Sequence, residues 1–251
     1  MLDTTFNMLM RTFITHQIWD FEHSTFNSSA YEKALIELTE CHFPTLYKEI
    51  KPNLQMIGGL PLEINPSYSK TLIQSPLKIT INSFIFHLIT KSNIKTNYPI
   101  RELLTLVNEF RCECKVRLRE NTSNVFLDDA QINAKAFLNG THGMFRNCNS
   151  ILNTSDCYCS AINEVSTKIW SGLKFLYDDE NVFYIDTDVC YINSNDESLA
   201  HQWANKFKFS IQIERPPFVV IHGKKNVIDI DIPSGIPFTV KINDASYSYE
   251  P

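Results

Sequence analysis

The chain has 251 residues, of which 43% are hydrophobic and 20% are charged, and its net charge at pH 7 is -5. This composition is typical of a folded globular protein and excludes a disordered chain. The negative net charge excludes a protein that coats nucleic acid by charge alone, because non-specific affinity comes mainly from Lys and Arg on phosphates. Any contact with DNA must therefore come from local basic patches.

The cysteines and the first residues bear on the compartment of the protein. Four of the seven cysteines form Cys-x-Cys pairs, Cys112 with Cys114 and Cys157 with Cys159. Zinc ribbons use Cys-x-x-Cys, so reduced thiols are favoured over a metal site. Residues 1–21 lack the plan of a signal peptide, and no segment reaches the roughly 18 apolar residues of a membrane span. We expect an intracellular protein with no membrane partner.

Residues 1–55 predict a helical N-terminal extension, and residues 56–251 are expected to form the main domain. Apolar residues such as Leu35 and Leu38 recur in the extension at helical spacing before Pro44, which ends the pattern. The extension carries no motif that assigns it a function.

The middle of the chain predicts one strand followed by three helices. An apolar run over residues 77–89 predicts the strand. The first helix is expected to begin at Pro99 and to end in a run of basic residues. The other two helices are predicted over residues 128–143 and 160–175 from their apolar spacing.

Two short apolar strands enclose Asp186, Thr187 and Asp188 and predict a hairpin. Residues i and i+2 of a strand project from one face, so the two carboxylates can converge on one hard cation. An isolated Asp-x-Asp is most often a solvated acidic turn. Here the apolar flanks would hold the carboxylates rigidly at the edge of a core, which favours a site.

A polar stripe follows the helix predicted over residues 128–143. Lys135, Asn139 and His142 stand at i, i+4 and i+7, which places them on one face. Taken alone, such a stripe is more often an exposed helix surface than a ligand site.

Together these segments resemble family B DNA polymerases. The palm signature of that family is an apolar strand, Asp-Thr-Asp and a second apolar strand, which residues 183–189 match. The fingers helix of the family carries Lys, three residues, Asn, two residues and Tyr-Gly. Lys135, Asn139 and His142 keep that spacing, with His in place of Tyr.

A further palm motif of the family, an Asp followed by a segment like Ser-Leu-Tyr-Pro, is matched by residues 63–69. Glu63 stands in place of the Asp, and the order and distance of this motif agree with the family. The resemblance covers about residues 56–230 and implies an α+β fold. In that fold an antiparallel palm sheet, containing the strands around Glu63 and the 182–192 hairpin, is backed by helices. A short helical fingers insertion lies at about 95–145.

Within that family, the chain resembles the compact, protein-primed polymerases of viruses and linear plasmids. The residues before 55 are too few for a proofreading exonuclease domain, and those after 240 are too few for a thumb. The expectation is a reduced core or one piece of a split enzyme, with other protein subunits supplying thumb or exonuclease functions.

The resemblance implies DNA-directed nucleotidyl transfer to a primer 3′-hydroxyl, with primer–template DNA and a dNTP as partners and Mg²⁺ or Mn²⁺ as cofactor. Glu63 and Asp188 would bridge two metal ions. Asp186 would support them, and the carbonyl of Ile64 would be an additional ligand.

The resemblance also assigns roles around the nucleotide. Lys135 and Arg117 would hold the triphosphate, with Arg117 preferred over its basic neighbours on the same helix. Tyr68 would pack under the sugar and exclude a 2′-hydroxyl, while Asn139 and His142 would face the nascent base pair. Four lysines are expected to contact DNA phosphates: Lys206, Lys208, Lys224 and Lys225.

Three departures from the family pattern leave a second hypothesis open. They are Glu63, Val189 where Ser is usual, and His142. The second hypothesis is a catalytically inactive polymerase-derived scaffold or binding subunit of a larger assembly. A third, a different metal-dependent phosphotransferase or nuclease that uses Asp186 and Asp188, would need a further His or carboxylate cluster, and none stands out.

Overall fold

The structure is a computed structural model that describes residues 2–44, 62–94, 96, 98–120, 122–147, 149–152, 155–223, 225–243 and 245–251. The chain forms two units. The first unit consists of Met1–Gly58 and Ile85–Ile162. The second unit consists of Gly59–Phe84 and Asn163–Pro251.

Helices and antiparallel strands share the chain, which confirms the predicted α+β class. The helices are α1 (Leu2–Thr15), α2 (Ser28–His42), α3 (Phe84–Lys91), α4 (Ile100–Glu120), α5 (Val125–Arg146), α6 (Ser155–Tyr177) and α7 (Ser198–Phe207). The strands are β1 (Trp19–Asp20), β2 (Thr25–Phe26), β3 (Leu62–Ile64), β4 (Thr71–Gln74), β5 (Leu77–Ile81), β6 (Val182–Asp186), β7 (Val189–Ile192), β8 (Ile211–Glu214), β9 (Phe218–Gly223), β10 (Asn226–Ile230), β11 (Phe238–Ile242) and β12 (Ala245–Tyr249). Among the described residues, no helix combines the length and the apolar character that a membrane span requires.

Helix α5 lies at the centre of the first unit. Its buried residues recur every three or four positions, and α1, α2 and α4 all pack against it. The ring of Phe137 stacks on Tyr31, with 4.6 Å between centroids, and meets the edge of Phe13 at 5.8 Å. These aromatic contacts join α1 and α2, which lie in the helical extension expected over residues 1–55, to α5 within the first unit.

The second unit is built on an antiparallel sheet with the strand order β3-β6-β7-β5-β8. The sheet contains both the strand of Glu63 and the predicted 182–192 hairpin, so this part of the prediction is confirmed. A second sheet, with the order β10-β9-β4, packs its side chains against Tyr184 and Tyr191 of the hairpin. These residues of the hairpin are therefore fixed by apolar contacts with the second sheet.

The strand predicted over residues 77–89 is wrong in its second half. Strand β5 ends at Ile81, Ser83 adopts a left-handed φ of 55°, and α3 follows. Phe84 and Leu88 stand four residues apart and are both buried, so one face of a helix packs inward. A short apolar run is compatible with a strand or with a buried helix, and the periodicity of its apolar residues does not distinguish the two.

The hydroxyl of Tyr31 provides a test of the packing around α5. It lies 2.8 Å from Thr141 Oγ1, which itself donates to the carbonyl of Phe137 at 2.8 Å, so Tyr31 is the donor to Thr141. Tyr31→Phe removes one buried hydrogen bond and is expected to lower the free energy of unfolding by about 1 kcal/mol in urea denaturation. Tyr249→Phe is the control, because its hydroxyl has no hydrogen bond recorded among the described residues. An equal loss in both variants would contradict the assignment.

Candidate active site

The two carboxylates of the acidic hairpin lie at the turn between β6 and β7. Asp186 is the last residue of β6 and pairs with Val189, so Thr187 and Asp188 form a two-residue loop. Thr187 has a left-handed φ of 52°, which is strained for a β-branched residue. Its hydroxyl donates to Asp186 Oδ1 at 3.0 Å, which partly offsets that strain. Asp188 thus reaches its position from the turn and not by alternation along a strand.

An open cavity of about 260 Å³ is lined by Asp186, Asp188, Tyr184, Tyr191 and Lys225, among other residues. The hydroxyl of Tyr184 donates to Asp186 Oδ2 at 3.3 Å and accepts from the backbone N–H of Lys225. Burial, followed by the nearby Asp186 carboxylate, raises the pKa of Asp188. A carboxylate whose ionisation is opposed by a neighbouring carboxylate attracts a cation.

Glu63 lies on the opposite face of the sheet from Asp186. In the pairing of β3 with β6, Glu63 stands across from Ile185 and Leu62 stands across from Asp186. Successive residues of a strand point to opposite faces, so the two carboxylates point away from each other.

Lys174 of α6 holds the Glu63 carboxylate. Its Nζ lies 2.5 Å from Glu63 Oε2 and 3.0 Å from Asp179 Oδ1. The charges of Lys174 and Glu63 both act on the buried Cys190, the cross-strand partner of Ile185, which places all of them on this face of the sheet. Sequence reasoning missed Lys174, because no motif marks a lysine on a helix distant in sequence from its partner.

The resemblance implies divalent metal ions, and Glu63 and Asp186 do not converge on one ion in this arrangement. The two hairpin carboxylates are suitable hard ligands, but Glu63 is engaged by an ammonium group on the other face. Within the described ranges, no group of three or more His, Cys, Asp or Glu side chains could hold a metal ion. Metal coordination by Glu63, Ile64, Asp186 and Asp188 stays a prediction.

Tyr68 ends a short 3-10 helix at Pro66–Tyr68, where the N–H of Ser67 donates to the side-chain oxygen of Asn65. Its ring is partly buried and lies 5.0 Å from the ring of Phe183, centroid to centroid. The ring is thereby fixed against the core of the second unit. Its packing under a sugar stays a prediction.

In the first unit, Lys135 belongs to a group of positive charges. Burial, and then the charges of Arg111, Lys135 and Arg119, lower the pKa of Lys115. We call these four side chains the basic cluster: Arg111, Lys115, Arg119 and Lys135. In the part of the chain that the structure describes, none of them has a recorded salt bridge, and the Nε of Arg111 is buried without a hydrogen-bond partner.

Arg117, the residue expected to assist Lys135, is engaged elsewhere. Its Nε donates to Glu113 Oε1 at 2.8 Å, and its guanidinium lies 3.9 Å from the centre of the Phe6 ring. The structure therefore brings Lys115 close to Lys135 in its place. The spacing of Arg111, Lys115 and Arg119 at i, i+4 and i+8 was the available sequence signal, since such residues share a helix face.

The other two residues of the predicted polar stripe, Asn139 and His142, differ in their exposure. Asn139 is exposed, as Lys135 is. His142 is mostly buried, and its Nδ1 shares a 2.6 Å hydrogen bond with the hydroxyl of Tyr158. Burial, followed by the charge of Arg146, lowers the pKa of His142 to about 4, so the imidazole is neutral at pH 7. The contact with Tyr158 gives His142 a packing role, and its contact with a base pair stays a prediction.

The lysines expected at DNA lie at two places in the second unit. Lys206 and Lys208 are exposed at the end of α7, where Lys208 caps the helix with a left-handed φ of 56°. Lys225 lies in the turn between β9 and β10, beside the cavity of Asp186. Lys224 lies outside the described residues. Contact of these side chains with DNA stays a prediction.

Comparison with known proteins supports the fold alone. No protein-family model and no curated protein matches the chain. Among solved structures, it is similar to the family B DNA polymerase from the hyperthermophilic archaeon Pyrobaculum calidifontis, with a TM-score of 0.57 and 12% identity. The similarity covers 84% of this chain and 33% of that polymerase, so the chain spans about a third of its length. The architecture is thus polymerase-like.

The buried His142 predicts a pH dependence of stability. Its pKa of about 4 in the folded chain is below the ordinary value of 6.5, so the unfolded chain binds more protons between these values. Its contribution is complete above about pH 6.5 and decreases as the pH falls towards 4, by about 2 kcal/mol at pH 5. Urea denaturation at about pH 7 and pH 5 should show a smaller pH effect in His142→Gln, which keeps a hydrogen-bonding group for Tyr158 but does not titrate. An unchanged pH effect would show that His142 is not buried as described.

Proposed function

We propose that this chain is a polymerase-related core that binds primer–template DNA and the triphosphate of a dNTP. The observation that carries the proposal is the basic cluster on α4 and α5, in a fold similar to part of a DNA polymerase. Four cations that repel one another and have no recorded acidic partner in the described chain are stabilised by a polyanion. A triphosphate is a compact polyanion of suitable charge.

DNA binding is proposed through the exposed lysines of the second unit. Lysines that contact phosphates position DNA without selecting a sequence. Because the whole chain carries a net charge of -5, this contact has to be local. DNA-directed nucleotidyl transfer is the activity that such binding would serve, together with other subunits that supply thumb or exonuclease functions.

A second candidate function is that of a catalytically inactive, polymerase-derived scaffold or binding subunit. The ion pair of Lys174 with Glu63 favours it, because the carboxylate expected to bridge two ions faces away from Asp186. Nucleic-acid binding would persist in such a subunit. Primer extension separates the two candidates.

The basic cluster predicts which cations hold the triphosphate. Lys115→Ala and Lys135→Ala are each expected to weaken the binding of a fluorescent dNTP about tenfold, which corresponds to about 1.4 kcal/mol. Arg117→Ala is the matched control, because Arg117 is occupied by Glu113 and Phe6, and it should change the affinity less than about twofold. Equal losses in Arg117→Ala and Lys115→Ala would overturn the assignment of the cluster.

The DNA contact predicts a salt dependence. The double variant Lys206→Ala/Lys208→Ala should reduce the slope of log K against log salt by about 2, since each phosphate contact contributes about 0.9. Lys33→Ala/Lys168→Ala removes the same charge from other exposed positions and should leave the slope unchanged. Fluorescence anisotropy with a primer–template duplex measures both, and an unchanged slope in the first variant would remove these lysines from the interface.

Primer extension by the isolated chain is expected to be weak or absent, because Glu63 is held by Lys174. The assay uses a labelled primer–template with Mg²⁺ or Mn²⁺, with and without added subunits. Strong extension that is lost in Asp188→Asn would contradict the scaffold candidate and establish the catalytic one.

A further inference from the structure

Lys174 is a partly buried cation between two segments of the second unit. Its side chain is 27% exposed and reaches from α6 to Glu63 on β3 and to Asp179 in the 3-10 turn Asp179–Asn181. Together with Asn65 these side chains line a cavity of about 280 Å³. The arrangement joins a strand, a helix and a turn through one positive charge.

The ammonium group of Lys174 remains charged in this position. Burial alone would lower its pKa, but the hydrogen bonds that it donates to Glu63 and Asp179 outweigh burial and raise the pKa. An ammonium group is a compact point charge with three donors, so it satisfies two carboxylates at once. Lys174 thus performs the electrostatic task of a small cation held by carboxylates from two parts of the chain.

We propose that Lys174 takes the place, at Glu63, of the divalent cation that a polymerase-like palm implies. This inference goes beyond the proposed binding of DNA and dNTP, which uses other residues. The observation behind it is the misfit of the carboxylates: Glu63 is neutralised by Lys174 on one face of the sheet, while Asp186 stands on the other. The palm keeps its charge balance at Glu63 without a metal.

An ammonium group in place of a metal ion has a chemical consequence. A metal ion can accept an oxygen atom of a substrate as a further ligand and polarise it. An ammonium group only donates hydrogen bonds, so it neutralises Glu63 without offering a coordination position. Glu63 and Lys174 therefore form a structural pair that locks β3 to α6.

The inference predicts that removing the ammonium exposes a metal site. Lys174→Met keeps the length of the side chain and leaves Glu63 and Asp179 without a partner. Titration with Mn²⁺, followed by the electron paramagnetic resonance of the free ion, should show one more bound ion per chain than in the wild type, because two adjacent carboxylates bind such ions. Lys174→Met/Glu63→Gln should lose this gain. Lys168→Met, an exposed lysine on the same helix, should bind Mn²⁺ as the wild type does.

The wild-type chain gives a second measurement that needs no substitution. In protein labelled with ¹³C at glutamate side-chain carboxyls, the diamagnetic ion Mg²⁺ should leave the chemical shift of the Glu63 resonance unchanged, since Lys174 excludes the ion. A shift of that resonance at low Mg²⁺ concentration would overturn the inference. So would a Lys174→Met variant that gains no Mn²⁺ affinity, or a gain that survives Glu63→Gln. DNA and dNTP binding by Lys174→Met should be unchanged, so a failure here is distinct from a failure of the proposed function.

Discussion

Hydrogen bonding between β3 and β6 pairs Glu63 with Ile185 and Leu62 with Asp186, and the arrangement of acidic groups depends on this register. A shift by one residue would exchange the two faces of the strand. With the observed register, Glu63 meets Lys174, while Asp186 meets the hydroxyl of Tyr184. The two acidic groups therefore have separate electrostatic surroundings within one sheet.

These surroundings differ in kind. At the hairpin, burial and then the nearby Asp186 carboxylate raise the pKa of Asp188. On the other face, the charge of Glu63 is matched by an ammonium group with a raised pKa. One face can still gain from a cation, whereas the other already has one.

In the described part of the first unit, the charges of the basic cluster, which have no recorded salt bridge, are positive. Lys115 and Lys135 belong to a cluster of cations whose mutual repulsion an anion would relieve. Arg117, only two residues from Lys115, is removed from the cluster by its ion pair and its aromatic contact. An acidic protein can thus present a local basic surface, because the charge of a surface depends on which side chains share a face.

The sequence by itself determined the α+β class, the main helices and the acidic hairpin, because apolar periodicity and turn residues act over short stretches of chain. It also placed Lys135 and Asn139 on one exposed helix face. Only the tertiary structure decided that Glu63 is held by Lys174 and that the N-terminal helices pack on α5. These outcomes depend on strand register and on contacts between residues more than a hundred positions apart, and local patterns do not encode such pairings.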